Sequence, residues 1–146
     1  MQNKLKDLAQ KLADLAAEYT PHIQTLGKGI NDVNLAPNFK LREFECKHCG
    51  TVKIDPELVR RLQVMRDEIG KPIIINSGYR CPEHNRAVGG AAGSQHLYGT
   101  AADIVCPGAS IQQVRQAAEK HFKNGGIGRY NTYTHVDTGP KRRWTG

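Results

Sequence analysis

Residues 126–137 read GIGRYNTYTHVD, and their patterning decides how the rest of the chain is read. Gly126–Tyr130 and Tyr133–Asp137 are short runs carrying β-branched and aromatic residues on either side of Asn131-Thr132, the signature of a hairpin. Side chains two apart share one face of a strand, so His135 and Asp137 project together. Upstream, Ala101–Val105 (AADIV) and Lys71–Asn76 (KPIIIN) read as further strands, and Gln95-His96-Leu97 as a strand fragment before Gly99. Ser77–Arg80 is a turn, and Gly89, Gly90 and Gly93 mark a mobile loop.

Between these runs lie helices. Asp55-Pro56-Glu57 supplies an N-cap carboxylate, a first-position proline and a first-turn acid. Leu58, Leu62, Met65 and Ile69 then form one apolar stripe, and Gly70 closes the segment. Ser110 starts another helix, with Ile111, Val114 and Ala118 on one face. Helices and short strands alternate with no repeat and no dinucleotide-binding fingerprint, so the expected class is α+β.

Residues 1–36 form a unit of their own in this reading. Leu5, Leu8, Leu12 and Leu15 alternate three and four apart, giving an N-terminal amphipathic helix over 3–19. That helix can pack on its own domain or serve in docking and self-association. Gly27, Gly29 and Ala36-Pro37 read as a linker into a main domain over 37–146.

The 146 residues carry a net charge of +7. Lys4, Lys6, Lys11 and Lys28 balance Asp7, Asp14, Glu18 and Asp32, so the whole excess lies in residues 37–146. A basic balance points to an anionic partner: nucleic acid, a membrane surface or a cell-wall polymer. With 38% hydrophobic and 24% charged residues the chain can bury a core. No apolar run reaches the roughly 18–20 residues of a membrane span. MQNKLKDLAQ has no uninterrupted apolar core, so no secretory signal peptide is expected. Only 6% of the residues are aromatic and no binding motif is present, which disfavours nucleic acid.

His96 and Asp103 flank Gly99, and a turn there would bring their side chains together. With His135 they make two imidazoles and one carboxylate, a donor set suited to catalytic Zn²⁺ with an open fourth position. A metal so held acidifies bound water and polarises a carbonyl. Spacing alone equally permits structural His–Asp pairs. Cys46 and Cys49 form a lone C-x-x-C, with Cys81 and Cys106 apart from it. Reduced thiols, a structural metal on Cys46, Cys49 and Cys81, or two disulfides in an oxidising compartment all remain open. Nothing in the sequence couples a cysteine to a base that would make it a nucleophile.

Residues 77–103, SGYRCPEHNRAVGGAAGSQHLYGTAAD, and residues 125–144, GGIGRYNTYTHVDTGPKRRW, closely resemble the M15 peptidases, the zinc D-Ala-D-Ala carboxypeptidase family. The likeness runs over roughly 38–144 and is strongest to the small peptidoglycan peptidases with a C-terminal HVD. It implies an α+β fold with a small antiparallel sheet, and peptidoglycan stem peptides as substrate. It further implies Zn²⁺ on His96, Asp103 and His135, and hydrolysis by attack of a zinc-bound water. By the same resemblance Arg80 steadies the substrate carbonyl oxygen and Ser94 contacts substrate. Several members of the wider family carry an acid three residues before the last ligand; here that position is Thr132. Asp137 then stands as general base or, equally, as the partner that orients a ligand imidazole; His84 is a further candidate base.

The resulting expectation is a D,D-carboxypeptidase or endopeptidase acting on the bacterial wall, its basic surface drawn to anionic wall polymers. A missing leader fits phage-type release, another delivery route or a piece of a longer chain. The altered position at Thr132 keeps a second reading open, a non-catalytic wall-binding module on the same fold.

Overall fold

The computed structural model describes residues 23–25 and 31–146. The amphipathic helix expected over 3–19 and the glycines at 27 and 29 lie outside the described residues. Strand β1 (Ile23–Thr25) pairs antiparallel with β4 (Val52–Ile54), and β2 (Asn34–Ala36) pairs with β3 (Phe39–Lys40). Asn34–Ala36, read from sequence as the end of a linker, is therefore one arm of a hairpin whose turn contains Pro37. Leu41 N–H donates to Val33 O at 2.9 Å, fastening that hairpin to the following 3₁₀ turn, Leu41–Phe44.

Helix α1 (Pro56–Ile69) starts and stops where its sequence dictates. Asp55 accepts the Glu57 N–H at 3.0 Å, and Gly70 takes the left-handed conformation (φ 71°) that ends the helix. Leu58, Leu62 and Met65 are fully buried, each contributing about 1.5–3 kcal/mol by leaving water. A short helix α2 (Pro82–Ala87) follows strand β5 (Ile74–Ser77). Strand β5 begins later than the apolar run suggests, after Pro72, which has no N–H to donate to a ladder. Ser110 and Gln113 cap α3 (Ile111–His121) reciprocally, at 3.1 and 2.8 Å.

Gln95–Tyr98 is a 3₁₀ turn, not the strand fragment expected. The Ser94 hydroxyl accepts the His96 N–H at 3.3 Å, and left-handed Gly99 (φ 74°) stops the turn five residues after Ser94. Between cap and stop the backbone bonds are local, Leu97 N–H to Ser94 O at 3.1 Å and Thr100 N–H to Gln95 O at 3.3 Å, so these groups are not offered to a ladder. Strand β6 (Ala101–Val105) is as expected, and β7 (Gly126–Arg129) and β8 (Thr134–Asp137) form the hairpin.

The main sheet has five strands in the order β5-β6-β8-β7-β9. Its first four are antiparallel, as the α+β expectation requires. The edge strand β9 (Arg142–Thr145) runs parallel to β7 and is not among the strands expected from the sequence. Ala102, Ile104, Ile127 and Val136 point into the core with the buried faces of α1 and α3. The alternate positions face the other way, and there one rung crosses the whole sheet: Ser77, Asp103, His135, Gly128 and Trp144 are successive partners in register. Among the described residues no helix is long and apolar enough to cross a membrane.

Candidate metal centre and cleft

The rung delivers two of the expected donors side by side, and the 3₁₀ turn brings the third. Asp103 Oδ1 lies 3.0 Å from His135 Nδ1 and 3.2 Å from His96 Nε2. The donor atoms of His96, Asp103 and His135 all lie within 4.8 Å of one another, and all three residues are buried. Each imidazole is tied from behind. His96 Nδ1 donates to Gly78 O at 2.6 Å, and His135 Nε2 donates to Asp137 Oδ2 at 2.7 Å. Those bonds put the ring protons on the outer nitrogens, leaving the inner lone pairs aimed at a common point. Burial alone would raise the Asp103 carboxyl, but hydrogen bonds and charge from His135 and His96 hold it well below the usual carboxylate range. Burial likewise opposes the charged form of His135, and Asp103 and Asp137 outweigh it and raise the imidazole. Two nitrogens and one carboxylate so arranged fit a divalent metal with an open position.

Asp137 is completely buried. Its Oδ2 takes bonds from His135 and Arg142, both at 2.7 Å, and its Oδ1 takes the N–H groups of Gly126 and Gly139 at 3.0 and 2.9 Å. Asp137 is not among the residues lining the cleft, and its bond to His135 suits the reading as the partner that orients the imidazole. Burial pushes the carboxyl up, while His135, Arg142 and the Gly126 N–H together bring it down, so it stays ionised behind His135. Thr132 is exposed in the turn between β7 and β8, and His84 lies on α2 outside the cleft lining.

Above the donors opens a cleft of about 570 Å³. Arg80 lines it, with its guanidinium fixed by Ser77 Oγ (3.1 Å), Asp103 Oδ2 (3.1 Å) and Asn85 Oδ1 (3.5 Å). Ser94 lines it as well, while its hydroxyl caps the His96 turn. The glycine loop expected to be mobile is tied to α2: Asn85 Nδ2 donates to Ala91 O at 2.9 Å, and Gly90 N–H to Asn85 O at 2.8 Å.

Several residues of the cleft escaped the sequence reading. Tyr130 and Tyr133 stack with ring centroids 4.4 Å apart, and the Tyr130 hydroxyl accepts the Trp144 Nε1–H at 2.9 Å. The Trp144 indole sits 4.9 Å from the His135 ring, centroid to centroid. Gly128 makes room for it, since a Cβ there would meet the indole at 2.5 Å. Gly126 and Gly128 alternating inside a strand were the available signal, because an interior strand glycine marks a close approach. Nothing local singled out Asn85, whose role is set wholly by tertiary contacts.

Comparison with known proteins agrees with this geometry. The family model Peptidase M15 matches residues 37–137. The zinc D-Ala-D-Ala carboxypeptidase of Streptomyces albus G is 39% identical over 90 residues, covering 58% of this chain and 35% of that protein. The peptidoglycan L,D-endopeptidase MepK of Escherichia coli is 36% identical over 128 residues, covering 81% of this chain and 69% of that protein. A probable peptidoglycan L,D-endopeptidase MepK of Haemophilus influenzae is 35% identical over 104 residues, covering 64% and 55%. The chain thus spans about a third of the length of the first relative and about two-thirds of the second.

Proposed function

The chain belongs to the M15 peptidase family, and from that premise we propose that it is a zinc-dependent peptidase hydrolysing a peptide bond of peptidoglycan stem peptides. The observation that carries the proposal is the convergence of His96 Nε2, Asp103 and His135 Nδ1 at the floor of a cleft, with both imidazoles locked from outside. These residues would hold Zn²⁺, which supplies a Lewis acid for the scissile carbonyl and lowers the pKa of water.

The protein's own side chains do the rest. Arg80 is a held cation beside the donors, placed to stabilise negative charge on the carbonyl oxygen as the tetrahedral centre forms. Its anchors are already in position, so little reorganisation is left for the moment of reaction. Burial and the nearby Asp103 charge push the Tyr133 hydroxyl up, which keeps it a hydrogen-bond donor at neutral pH. Asp103 is the only carboxylate among the described residues lining the cleft. The Tyr130–Tyr133 stack and Trp144 give one wall an apolar character that suits small alkyl side chains, while Arg80 and Arg142 attract substrate carboxylates.

The relatives sharing the longest stretch with this chain are named L,D-endopeptidases, which favours an internal bond of the stem over its terminal D-Ala-D-Ala bond. The remaining charge of residues 37–146 would hold the enzyme on anionic wall polymers. The test is mass spectrometry of products from defined muropeptides, with the zinc-loaded protein beside His96→Ala and Asp103→Ala. Cleavage that is lost in both variants, and lost and regained with chelator and zinc, is the expected result. Binding to sacculi with no released product would establish the non-catalytic wall-binding module instead.

A further inference from the structure

The cysteines of the C-x-x-C segment take no part in the cleft, yet the fold gathers them. Cys46 and Cys49 lie between the Leu41–Phe44 turn and β4, and Cys81 lies 32 residues beyond Cys49, at the start of α2. Their three sulfurs all fall within 4.8 Å of one another, with Cys46 and Cys81 buried and Cys49 exposed. Cys106 stands apart from this group.

The backbone around them is folded to make the gathering rigid. Cys46 N–H donates to Thr51 O at 2.7 Å, and Gly50 N–H returns to Cys46 O at 2.8 Å. Gly50 has φ 75°, in the region where glycine is strongly preferred, so the C-x-x-C-G segment closes as a tight knuckle. A second loop is stitched against it. Tyr79 N–H donates to Phe44 O at 2.8 Å, and Gly78 packs so closely that a Cβ would meet Phe44 Cα at 2.7 Å. Lys47 Nζ donates to Asn76 O from the other side.

Each buried sulfur also accepts a backbone N–H: Cys46 Sγ from Cys81, and Cys81 Sγ from His84, both at 3.4 Å. Such donors compensate sulfur that carries negative charge. A fourth donor stands at the edge of the group: His48 Nδ1 lies 3.5 Å from Cys81 Sγ, although it is farther than 4.8 Å from at least one of the other two sulfurs. The His84 ring stacks on His48 with centroids 6.3 Å apart and planes 4° from parallel.

We propose that Cys46, Cys49, Cys81 and His48 form a second, structural zinc site. Three thiolates and one imidazole are a closed tetrahedral set that leaves no position for substrate. Bond lengths of about 2.3 Å to sulfur and about 2.0 Å to nitrogen give tetrahedral edges of about 3.5–3.8 Å. The edge from Cys81 Sγ to His48 Nδ1 already has that length; the sulfur triangle needs to close by at most about 1 Å on its longest side, and the His48 ring has to turn towards the other two sulfurs. A disulfide accounts for the cluster less well, because any pairing leaves the third thiol and His48 without a purpose.

The site's position gives it a consequence for the cleft without sharing a ligand with it. The loop that it pins is Gly78–Cys81. Gly78 O holds His96 Nδ1, and Arg80 reaches Asp103. Metal on the cysteines would therefore fix both the backbone behind one imidazole and the cation above the centre. The proposal rests on these contacts alone and stands whichever bond the peptidase cuts.

The experiment is metal analysis and cobalt(II) substitution of the reduced 146-residue chain. Two zinc ions per chain are expected, falling to one in Cys81→Ser and to one in His96→Ala. Cobalt(II) protein should show thiolate-to-metal charge-transfer absorption in the near ultraviolet, retained in His96→Ala and in His84→Ala, lost in Cys81→Ser and changed in His48→Ala. Should Cys81→Ser fail to fold, thiol titration of the native wild type decides the matter: the exposed Cys49 should stay protected until a chelator is added. One zinc per chain with no sulfur-to-cobalt band would overturn the proposal, as would immediate labelling of Cys49 in the zinc-loaded protein.

Discussion

The imidazole of His135 is held from behind by Asp137, Nε2 to Oδ2 over 2.7 Å, while its other nitrogen faces Asp103. A buried carboxylate in this position raises the basicity of the ligand and fixes its tautomer. Asp137→Asn should therefore weaken zinc binding about 10–100-fold, with much smaller loss of kcat once zinc is saturating. Competition against a chromophoric chelator, run beside activity at excess zinc, measures both. A collapse of kcat at full zinc occupancy would return Asp137 to the role of proton acceptor.

Arg80 differs in kind, because it faces the cleft. Removing a fixed donor to a developing oxyanion costs about 10²–10³ in kcat. Arg80→Ala is expected to lose activity on that scale while keeping its cleft zinc. Arg80→Lys should recover little, since the guanidinium fork spans Ser77, Asp103 and Asn85 together and an ammonium cannot. Near-normal turnover by the lysine variant would show that charge alone suffices.

Gly99 offers a test of how the turn is joined to β6. Its φ is 74°, and a Cβ would stand 2.8 Å from Ile54 N. Gly70 has a similar φ of 71° but open space around it. Gly70→Ala should cost about 1 kcal/mol from conformation alone, and Gly99→Ala more than about 2 kcal/mol, because backbone strain and a clash combine. Urea denaturation measures the two side by side, and equal losses would show that the contact with β4 relaxes freely.

Glu57 sets a pH dependence far from the metal. The hydrogen bond from Arg60 and a second from Arg61 outweigh burial and hold its carboxyl at about 2, against 4.5 ordinarily. A depressed folded-state pKa means the contribution is complete above pH 4.5 and is lost as pH falls towards 2. The pair is partly exposed, so the effect stays below about 1 kcal/mol. Melting curves of wild type and Glu57→Gln should differ modestly at neutral pH and converge near pH 2. A gap that persists in acid would assign the difference to packing.

Salt separates the two uses of positive charge. Screening lengths of about 10 Å at 0.1 M salt weaken long-range attraction to a wall polymer, whereas Arg80 is largely buried and short-range. Attachment to sacculi should fall with salt more steeply than turnover of a small muropeptide. Equal losses would refute the division.

Much of this was legible in the chain because the deciding signals were local. Asp55, Gly70 and Ser110 mark helix ends by their own chemistry, and alternation put His135 and Asp137 on one face before any packing was known. The turn at Gln95–Tyr98 was misread because His96 and Leu97 suit a strand, while the bracketing Ser94 and Gly99 decide otherwise. Strand β9 stayed hidden because Arg142 and Arg143 look like a solvated tail; their alternation matters only once β7 is there to pair with. Asp137 was left between two roles by sequence, since period-two geometry shows its neighbour and not its four bonds.

The rung from Ser77 to Trp144 makes the centre indivisible under insertion or deletion. One residue gained or lost inside β6 or β8 would turn its donors towards α1 and α3 and bring apolar side chains into the cleft. No half-built intermediate exists along that route. An insertion that spares the donors therefore has to fall in a connection, such as the loop at 88–93 or the turn at Asn131-Thr132, where it need not move a strand. Those are the places where a new substrate preference can be acquired while the metal donors stay in step.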